Sequence, residues 1–319
     1  MVDRRRIIAV TGASGFVGQA LRAKLGSDPQ IEVRGLYRSR PSALPAGSLV
    51  VGDLAEEPDL SSPLAGVDVV IHAAARTHVL DDRAADPLAA YRRTNLDGTM
   101  ALAHAAVKAG VKRLVFLSSI KVNGESTPLD RPFRESDPPA PLDAYGTTKY
   151  EAEQALLGLA RQSGLEIVVI RPPLVYGPGV KGNMARLMRL VARGVPLPLG
   201  SIHNQRSMIG LGNLVSALGL VADHPAAAGC TFLVADPRDL ATPALVRAIA
   251  AALAKPARLF PVPPVLLLTA GAILGRRAEI ERLTGSLRVD ASTITRDLGW
   301  APEPDPTAEI ERMVAARLA

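Results

Sequence analysis

The chain has 319 residues, 48% of them hydrophobic and 21% charged, with a formal net charge of +6. That length and balance are enough for a complete buried core and exclude a globally disordered chain. A single cysteine, Cys230, excludes an internal disulfide and suits a reducing compartment, so a cytoplasmic protein is expected.

Aromatic residues make up only 3% of the chain, and no nucleic-acid-binding module is recognisable. The positive charge is therefore assigned to an anionic small molecule and not to nucleic acid. Arg4, Arg5 and Arg6 precede an apolar strand at 7–10, but Thr11 and Gly12 end that run too early for a secretory leader. A helical apolar spacing follows at 17–25, then strands at 31–36, 49–51 and 67–71. Residues 86–109 predict a long helix, 113–117 a strand, 144–162 a helix and 167–170 another strand. Strands that are continuous apolar runs, separated by helices, predict an α/β fold: a doubly wound parallel sheet of Rossmann type.

After Arg171 the rhythm breaks and prolines become frequent, at 172, 173, 178, 196 and 198. One more strand is expected at 231–234 and a last helix after 302–306. Residues 262–274 are strongly apolar but fall short of the ~20 that a spanning helix needs. They predict a buried or interfacial helix, with at most peripheral membrane contact. Cys230 lies in an apolar run and reads as a structural thiol.

Thr11-Gly12-Ala13-Ser14-Gly15-Phe16-Val17-Gly18 joins the first strand to the first helix. Glycines there allow a tight turn, close approach of backbone amides to a diphosphate, and close helix–strand packing. The helix N-terminus adds its own amides and dipole. This predicts a dinucleotide-binding domain over 1–175, with a returning segment near 207–240, and a smaller, mainly substrate-binding region over 176–319. The second strand ends in Tyr37-Arg38-Ser39-Arg40, with no acid to bind ribose hydroxyls. A guanidinium at Arg38 matches a 2′-phosphate, so NADP(H) is favoured and NAD(H) is the alternative.

Tyr145 and Lys149 stand four apart on the first turns of a helix, hence on one face. A free phenol is a weak base at neutral pH, and a neighbouring ammonium favours phenolate. Tyr145 is then expected to exchange a proton with a substrate hydroxyl or carbonyl. Ser118 and Ser119 end the fifth strand, and a hydroxyl there steadies charge on the same oxygen.

The glycine loop and the Tyr-x-x-x-Lys pair resemble those of extended short-chain dehydrogenases/reductases, the NAD-dependent epimerase/dehydratase family. That resemblance implies an enzyme acting on a nucleotide sugar, with Ser119, Tyr145 and Lys149 catalytic. It implies cofactor contacts from Gly12, Ser14, Gly15, Phe16, Val17, Arg38, Asp53, Leu54, Ala73, Ala74, Ala75, Pro172 and Val175, besides Tyr145 and Lys149. Substrate contacts are implied at His78, Ser119, Asn183, Arg206 and Arg282; no metal is expected. The helices at 86–109 and 144–162 imply a homodimer.

Family members that dehydrate sugars carry Asp-Glu directly after the catalytic hydroxyl residue; here Ile120 and Lys121 stand there, so elimination is not expected. The overall likeness is to bacterial enzymes of lipopolysaccharide O-antigen synthesis. These reduce UDP-2-acetamido-2,6-dideoxy-4-keto-hexose at C4, giving UDP-N-acetylquinovosamine or its epimer. The alternatives are a UDP-hexose (UDP-glucose or UDP-GlcNAc) 4-epimerase and a non-catalytic NADP-binding regulator.

Overall fold

A computed structural model describes residues 4–77, 86–303 and 305–318. The first half alternates strand and helix: β1 (Arg6–Thr11), α1 (Phe16–Leu25), β2 (Ile31–Tyr37), β3 (Leu49–Val50), a short α2 (Ser61–Leu64) and β4 (Val69–His72). Then come α3 (Pro87–Arg92), α4 (Gly98–Lys108), β5 (Arg113–Leu117), α5 (Ala144–Ser163) and β6 (Glu166–Arg171). The second half holds β7 (Leu174–Tyr176), α6 (Gly182–Ala192), β8 (Met208–Gly210), α7 (Leu211–Asp223), β9 (Thr231–Leu233) and α8 (Thr242–Ala252). It ends with α9 (Pro264–Ile273), α10 (Arg277–Thr284), α11 (Ser292–Leu298) and α12 (Pro306–Leu318).

Seven strands form one sheet in the order β3-β2-β1-β4-β5-β6-β9, every neighbouring pair parallel. Both faces are covered, which is why the middle residues of the central strands are apolar. One layer buries Leu21, Val10, Ile71, Leu214, Leu218 and Trp300; the other buries Val70, Leu102, Leu114, Phe116, Leu156 and Val169. β9, with α7 preceding it, returns to the sheet edge beside β6, as the apolar run at 231–234 predicts. Strand order reverses between β1 and β4, and in such sheets ligands bind outside the carboxyl ends of the strands. The glycine turn, Arg38, Asp53, Ala73, Ser119 and Pro172 each follow the carboxyl end of a different strand.

Two sequence expectations change in detail. The helix expected at 86–109 is split by a π-helical turn at Arg93–Asp97, a wider turn that a pattern of apolar spacing does not reveal. The apolar stretch at 262–274 does form a helix, α9, but of its residues only Gly271 is buried. The buried alternative is thereby corrected: a third core, built from Tyr176, Met188, Leu199, Val246, Ile249 and Met313, is already closed, and α9 rests against it mainly through Leu267.

Candidate active site

Gly12 has a left-handed φ of +63°, and a Cβ there would lie 2.7 Å from the Ala74 nitrogen, so only glycine lets β1 turn this close to the end of β4. At Gly18 a Cβ would lie 2.1 Å from the Gly12 oxygen, which fixes helix α1 against the turn. Ser14 and Gly15 are left exposed at the tip, with Phe16 and Val17 half-buried behind them. Gly15 caps α1 with no side chain, and the first turn holds no acid. Its amides are thus left for an external anion, and the cradle fits the diphosphate of a dinucleotide.

A buried relay ties this cradle together. The Ala74 N–H donates to Thr11 Oγ1 at 3.3 Å, Thr11 Oγ1 lies 2.6 Å from His72 Nδ1, and His72 Nε2 lies 2.9 Å from Thr99 Oγ1. Thr99 in turn donates to the Asn95 carbonyl at 2.7 Å. Each hydroxyl has one proton to give, so the chain fits a neutral imidazole protonated at Nε2. Burial, aided by the charge of Lys149, pushes the His72 pKa down to about 3, which keeps the ring neutral.

Arg38 and Arg40 are exposed beyond β2, and among the described residues neither has a hydrogen-bond or ion-pair partner. Asp53 accepts from the Ala55 N–H at 3.1 Å and caps the turn that Leu54 begins. Ala73, Ala74 and Ala75 leave β4 beside Gly12, and Pro172 is buried at the end of β6 with Val175 half-buried in β7.

Asp143 accepts from the Gly146 N–H at 2.7 Å and so caps α5, whose first turns carry Tyr145 and Lys149. Ser119, at the end of β5, hydrogen-bonds the Tyr145 hydroxyl. Lys149 is fully buried; its Nζ donates to the Leu117 carbonyl at 2.7 Å and sits 4.3 Å from the Phe116 ring centre. Burial pushes the Lys149 ammonium down to about 7, against the opposing pull of Glu153. Burial also pushes the Tyr145 phenol well above its ordinary range, with Ser119 acting the other way and Asp143 reinforcing the rise. In the chain alone, without an oxidised nicotinamide ring beside it, desolvation dominates and the phenol is held protonated.

The two adjacent serines divide their tasks. Ser118 Oγ turns inward and donates to Glu153, which Arg171 grips on both oxygens, the Arg171 Nε–Glu153 Oε1 distance being 2.9 Å. Arg171 also donates to Asn123 Oδ1 at 3.0 Å. Tyr145, Lys149 and Glu153 therefore line one face of α5, with a buried ion pair anchoring its inner end. Burying an ion pair this deeply is tolerated only with such complete hydrogen bonding.

The substrate-side expectations fare unevenly. Arg206 and Arg282 do meet, although they are distant in sequence: Arg206 Nη1 donates to the Arg282 and Gly285 carbonyls at 2.8 and 3.0 Å. Arg282 pairs with Glu125 at 3.4 Å, and Glu125 with Lys121 at 2.9 Å. Lys121 also contacts Asp143, so this charged cluster ends beside Tyr145. Asn183 is exposed on the first turn of α6, and among the described residues no hydrogen bond or ion pair links it to the cluster. His78 lies outside the described residues.

Two participants escaped the sequence reading. Asn95, fully buried in the π turn, accepts from the Arg76 N–H at 2.8 Å and donates to Thr148 at 3.1 Å, clamping the loop after β4 to α5. Its signal was the polar Thr-Asn-Leu-Asp-Gly interruption in an alanine-rich helix. Glu125 had no local signal at all.

Residues 8–235 match the model of the NAD dependent epimerase/dehydratase family. A protein of Vibrio cholerae named UDP-glucose 4-epimerase is 46% identical over 303 residues, covering 94% of this chain and 92% of its own. N-acetyl-alpha-D-glucosaminyl-diphospho-ditrans,octacis-undecaprenol 4-epimerase of Escherichia coli O157:H7 is 30% identical, covering 73% of this chain and 68% of its own. Among solved structures, MoeE5 in complex with UDP-glucose and NAD superposes with a TM-score of 0.77 at 27% identity, covering 98% of each chain. With its parallel seven-stranded sheet, its glycine cradle and its Ser–Tyr–Lys constellation, the chain belongs to the NAD dependent epimerase/dehydratase family of nucleotide-sugar enzymes.

Proposed function

We propose that the protein transfers a hydride between a nicotinamide cofactor and C4 of a UDP-linked hexose, with Tyr145 exchanging the proton at O4. The observation that carries this reading is the meeting of Ser119, Tyr145 and Lys149 beside the glycine cradle. The cofactor supplies the hydride; the residues of the chain hold it, orient the sugar and move the proton.

Within that chemistry the finer reading is reduction of the C4 ketone of a UDP-4-keto-6-deoxy-N-acetylhexosamine for O-antigen or related polysaccharide synthesis. One hydride goes to C4 and one proton from Tyr145 to O4, so that NADPH and a proton are consumed per alcohol formed. A phenol kept protonated suits this direction. Ile120 is buried and Lys121 is committed to Glu125 and Asp143, so the acid pair needed for eliminating water is absent. The exposed Arg38, with no carboxylate beside it, favours NADPH as the reductant. NAD(H) remains the alternative cofactor, and a homodimer the expected assembly.

The 46% identity to a protein named UDP-glucose 4-epimerase favours a second reading, C4 epimerisation with retained cofactor. One measurement separates them. On mixing with the UDP-4-keto sugar and NADPH, a reductase bleaches the reduced-nicotinamide absorbance in proportion to sugar converted. Isomerisation of UDP-glucose with no net bleaching would overturn the reductase reading, and inactivity in both assays would leave a binding protein. Arg38→Ala should weaken NADPH about tenfold or more while sparing NADH, the loss expected for a charge-assisted contact; equal losses for both would move the preference elsewhere.

A further inference from the structure

Helix α9 and its neighbour α10 form a hairpin whose outer surface the chemistry above does not use. Val265, Leu266, Ile273 and Leu274 are 69, 59, 80 and 73% exposed, and the preceding segments bridged at Leu197 and Leu259 carry two more exposed apolar residues, Val195 and Phe260. Val265, Thr269 and Ile273 follow one another at four-residue spacing, on one face of the helix. Exposed leucines scattered singly are ordinary, whereas a contiguous patch of this kind is a contact surface.

The helix is also prepared for a medium without water. Pro263 and Pro264 open it and carry no N–H, removing orphan donors from its first turn. Thr269, the one polar side chain within it, donates to the Val265 carbonyl at 2.9 Å and is satisfied inside the helix. Gly271 packs so closely on Ile280 that a Cβ would lie 2.7 Å from its Cγ1, which locks α9 onto α10 as a firm unit.

Charge selects the occupant. Between 255 and 282 the chain carries five basic residues against two acidic ones. The two acids are already matched, Glu281 to Arg277 at 2.8 Å and Glu279 to Arg186 at 3.8 Å. Arg276, Arg258 and Lys255 flank the helix in sequence and are exposed, Lys255 and Arg258 also donating to the Ala192 and Gly194 carbonyls. A second copy docked symmetrically would set this basic rim against itself, which like charges disfavour. An anionic bilayer offers hydrocarbon to the patch and phosphate to the rim. Among the described residues no helix is long and apolar enough to cross a membrane, and a ten-residue helix spans only ~15 Å.

We propose that the α9–α10 hairpin seats this protein on the surface of an anionic lipid bilayer, with Val265, Leu266, Ile273 and Leu274 in the acyl boundary and Arg276, Arg258 and Lys255 among the headgroups. The inference goes beyond the proposed function and does not depend on it.

Flotation of the full chain with vesicles tests it. Vesicles of equimolar phosphatidylcholine and phosphatidylglycerol should carry the protein upward at low salt, vesicles of phosphatidylcholine alone should not, and added salt should weaken the binding. The triple variant Leu266→Ser/Ile273→Ser/Leu274→Ser should lose flotation about tenfold or more, with thermal unfolding and cofactor binding unchanged. Arg276→Gln/Arg258→Gln, which leaves the apolar patch intact, should lose the preference for anionic vesicles. The proposal is overturned if the wild type fails to float with anionic vesicles, or if both variants float as it does. It is equally overturned if sedimentation velocity shows a dimer that the triple variant dissolves while vesicle binding is nil, since the patch would then be covered by a second copy.

Discussion

Helices α5 and α9 depart from the inside–outside rule in opposite directions. On α5 a lysine and a glutamate, Lys149 and Glu153, are each only 1% exposed, while three large aliphatic residues of α9, and Leu274 directly after it, stand in solvent. Burial of Lys149 carries a desolvation cost that is visible in its depressed pKa, and the cost is tolerated because the Leu117 carbonyl and Glu153 receive it. α9 forgoes the stabilisation its side chains would bring if buried. Both inversions of the inside–outside rule fall where the two proposals place a second molecule: the sugar and nicotinamide at α5, the bilayer at α9. In the middle of the sheet the rule holds, where Val10, Ile71, Val115 and Val169 are buried.

The comparison breaks most sharply at Tyr145. If α5 buries polar groups in order to move a proton, Tyr145→Phe should lower turnover about a hundredfold to ten-thousandfold, the range for losing a positioned acid. Cofactor binding should survive, because the cradle built on Gly12 and Gly15 is untouched. Single-turnover nicotinamide absorbance together with a cofactor titration measures both quantities. Unchanged turnover would mean that the buried face of α5 is structural only.

How far this contrast was legible in the sequence depends on distance along the chain. The glycine turn was readable because its tasks lie within eight consecutive residues, and the sheet because each strand is a local apolar run. Tyr145 and Lys149 were readable as neighbours on one helix face from their spacing, whereas Ser119 was singled out from Ser118 by resemblance alone. The meeting of Arg206 and Arg282 at the site was an expectation from likeness alone. Their link to Glu125 is tertiary, settled by how α10 folds back, and nothing near Glu125 announces it. Asn95 was hidden because helical spacing treats a π turn as more helix. The exposure of α9 was half readable: the apolar run allowed a buried or an interfacial helix, and hydropathy does not choose between them unless the core is known to be full.

A second test sharpens the comparison by pH. Lys149 has an ordinary value of 10.5 and is held at about 7 in the folded chain. Between pH 7 and 10 the unfolded chain therefore carries a proton that the folded chain has released. Unfolding takes that proton up, so the stability contributed at this position rises with pH, approaching about 1.4 kcal/mol per pH unit. Tyr145 does not confound the window: its phenol stays protonated when folded and ionises in the unfolded chain only above about pH 10. His72 titrates below it. Thermal unfolding of the wild type and Lys149→Met should diverge in the wild type's favour as pH climbs from 7 to 10. Parallel curves would show that the ammonium keeps its proton and that Glu153 outweighs desolvation.

The smallest effect is expected on α9, and its smallness is the informative part. Leu156 on α5 is fully buried in the layer of Leu102, Phe116 and Val169, and Leu156→Ala leaves a cavity there, at a cost of about 2–5 kcal/mol. Ile273 on α9 is 80% exposed, so truncation removes almost no area that folding took out of water. Ile273→Ser should shift stability by no more than about 0.5 kcal/mol, as surface substitutions do. Chemical denaturation of the two variants side by side measures the contrast. A loss at Ile273 comparable to that at Leu156 would mean that α9 is covered in solution by protein, and the relation between the two helices drawn above would not stand. A near-zero loss, with vesicle flotation abolished in the triple variant, would show that the aliphatic side chains of α9 do nothing for folding and are retained for the surface they meet.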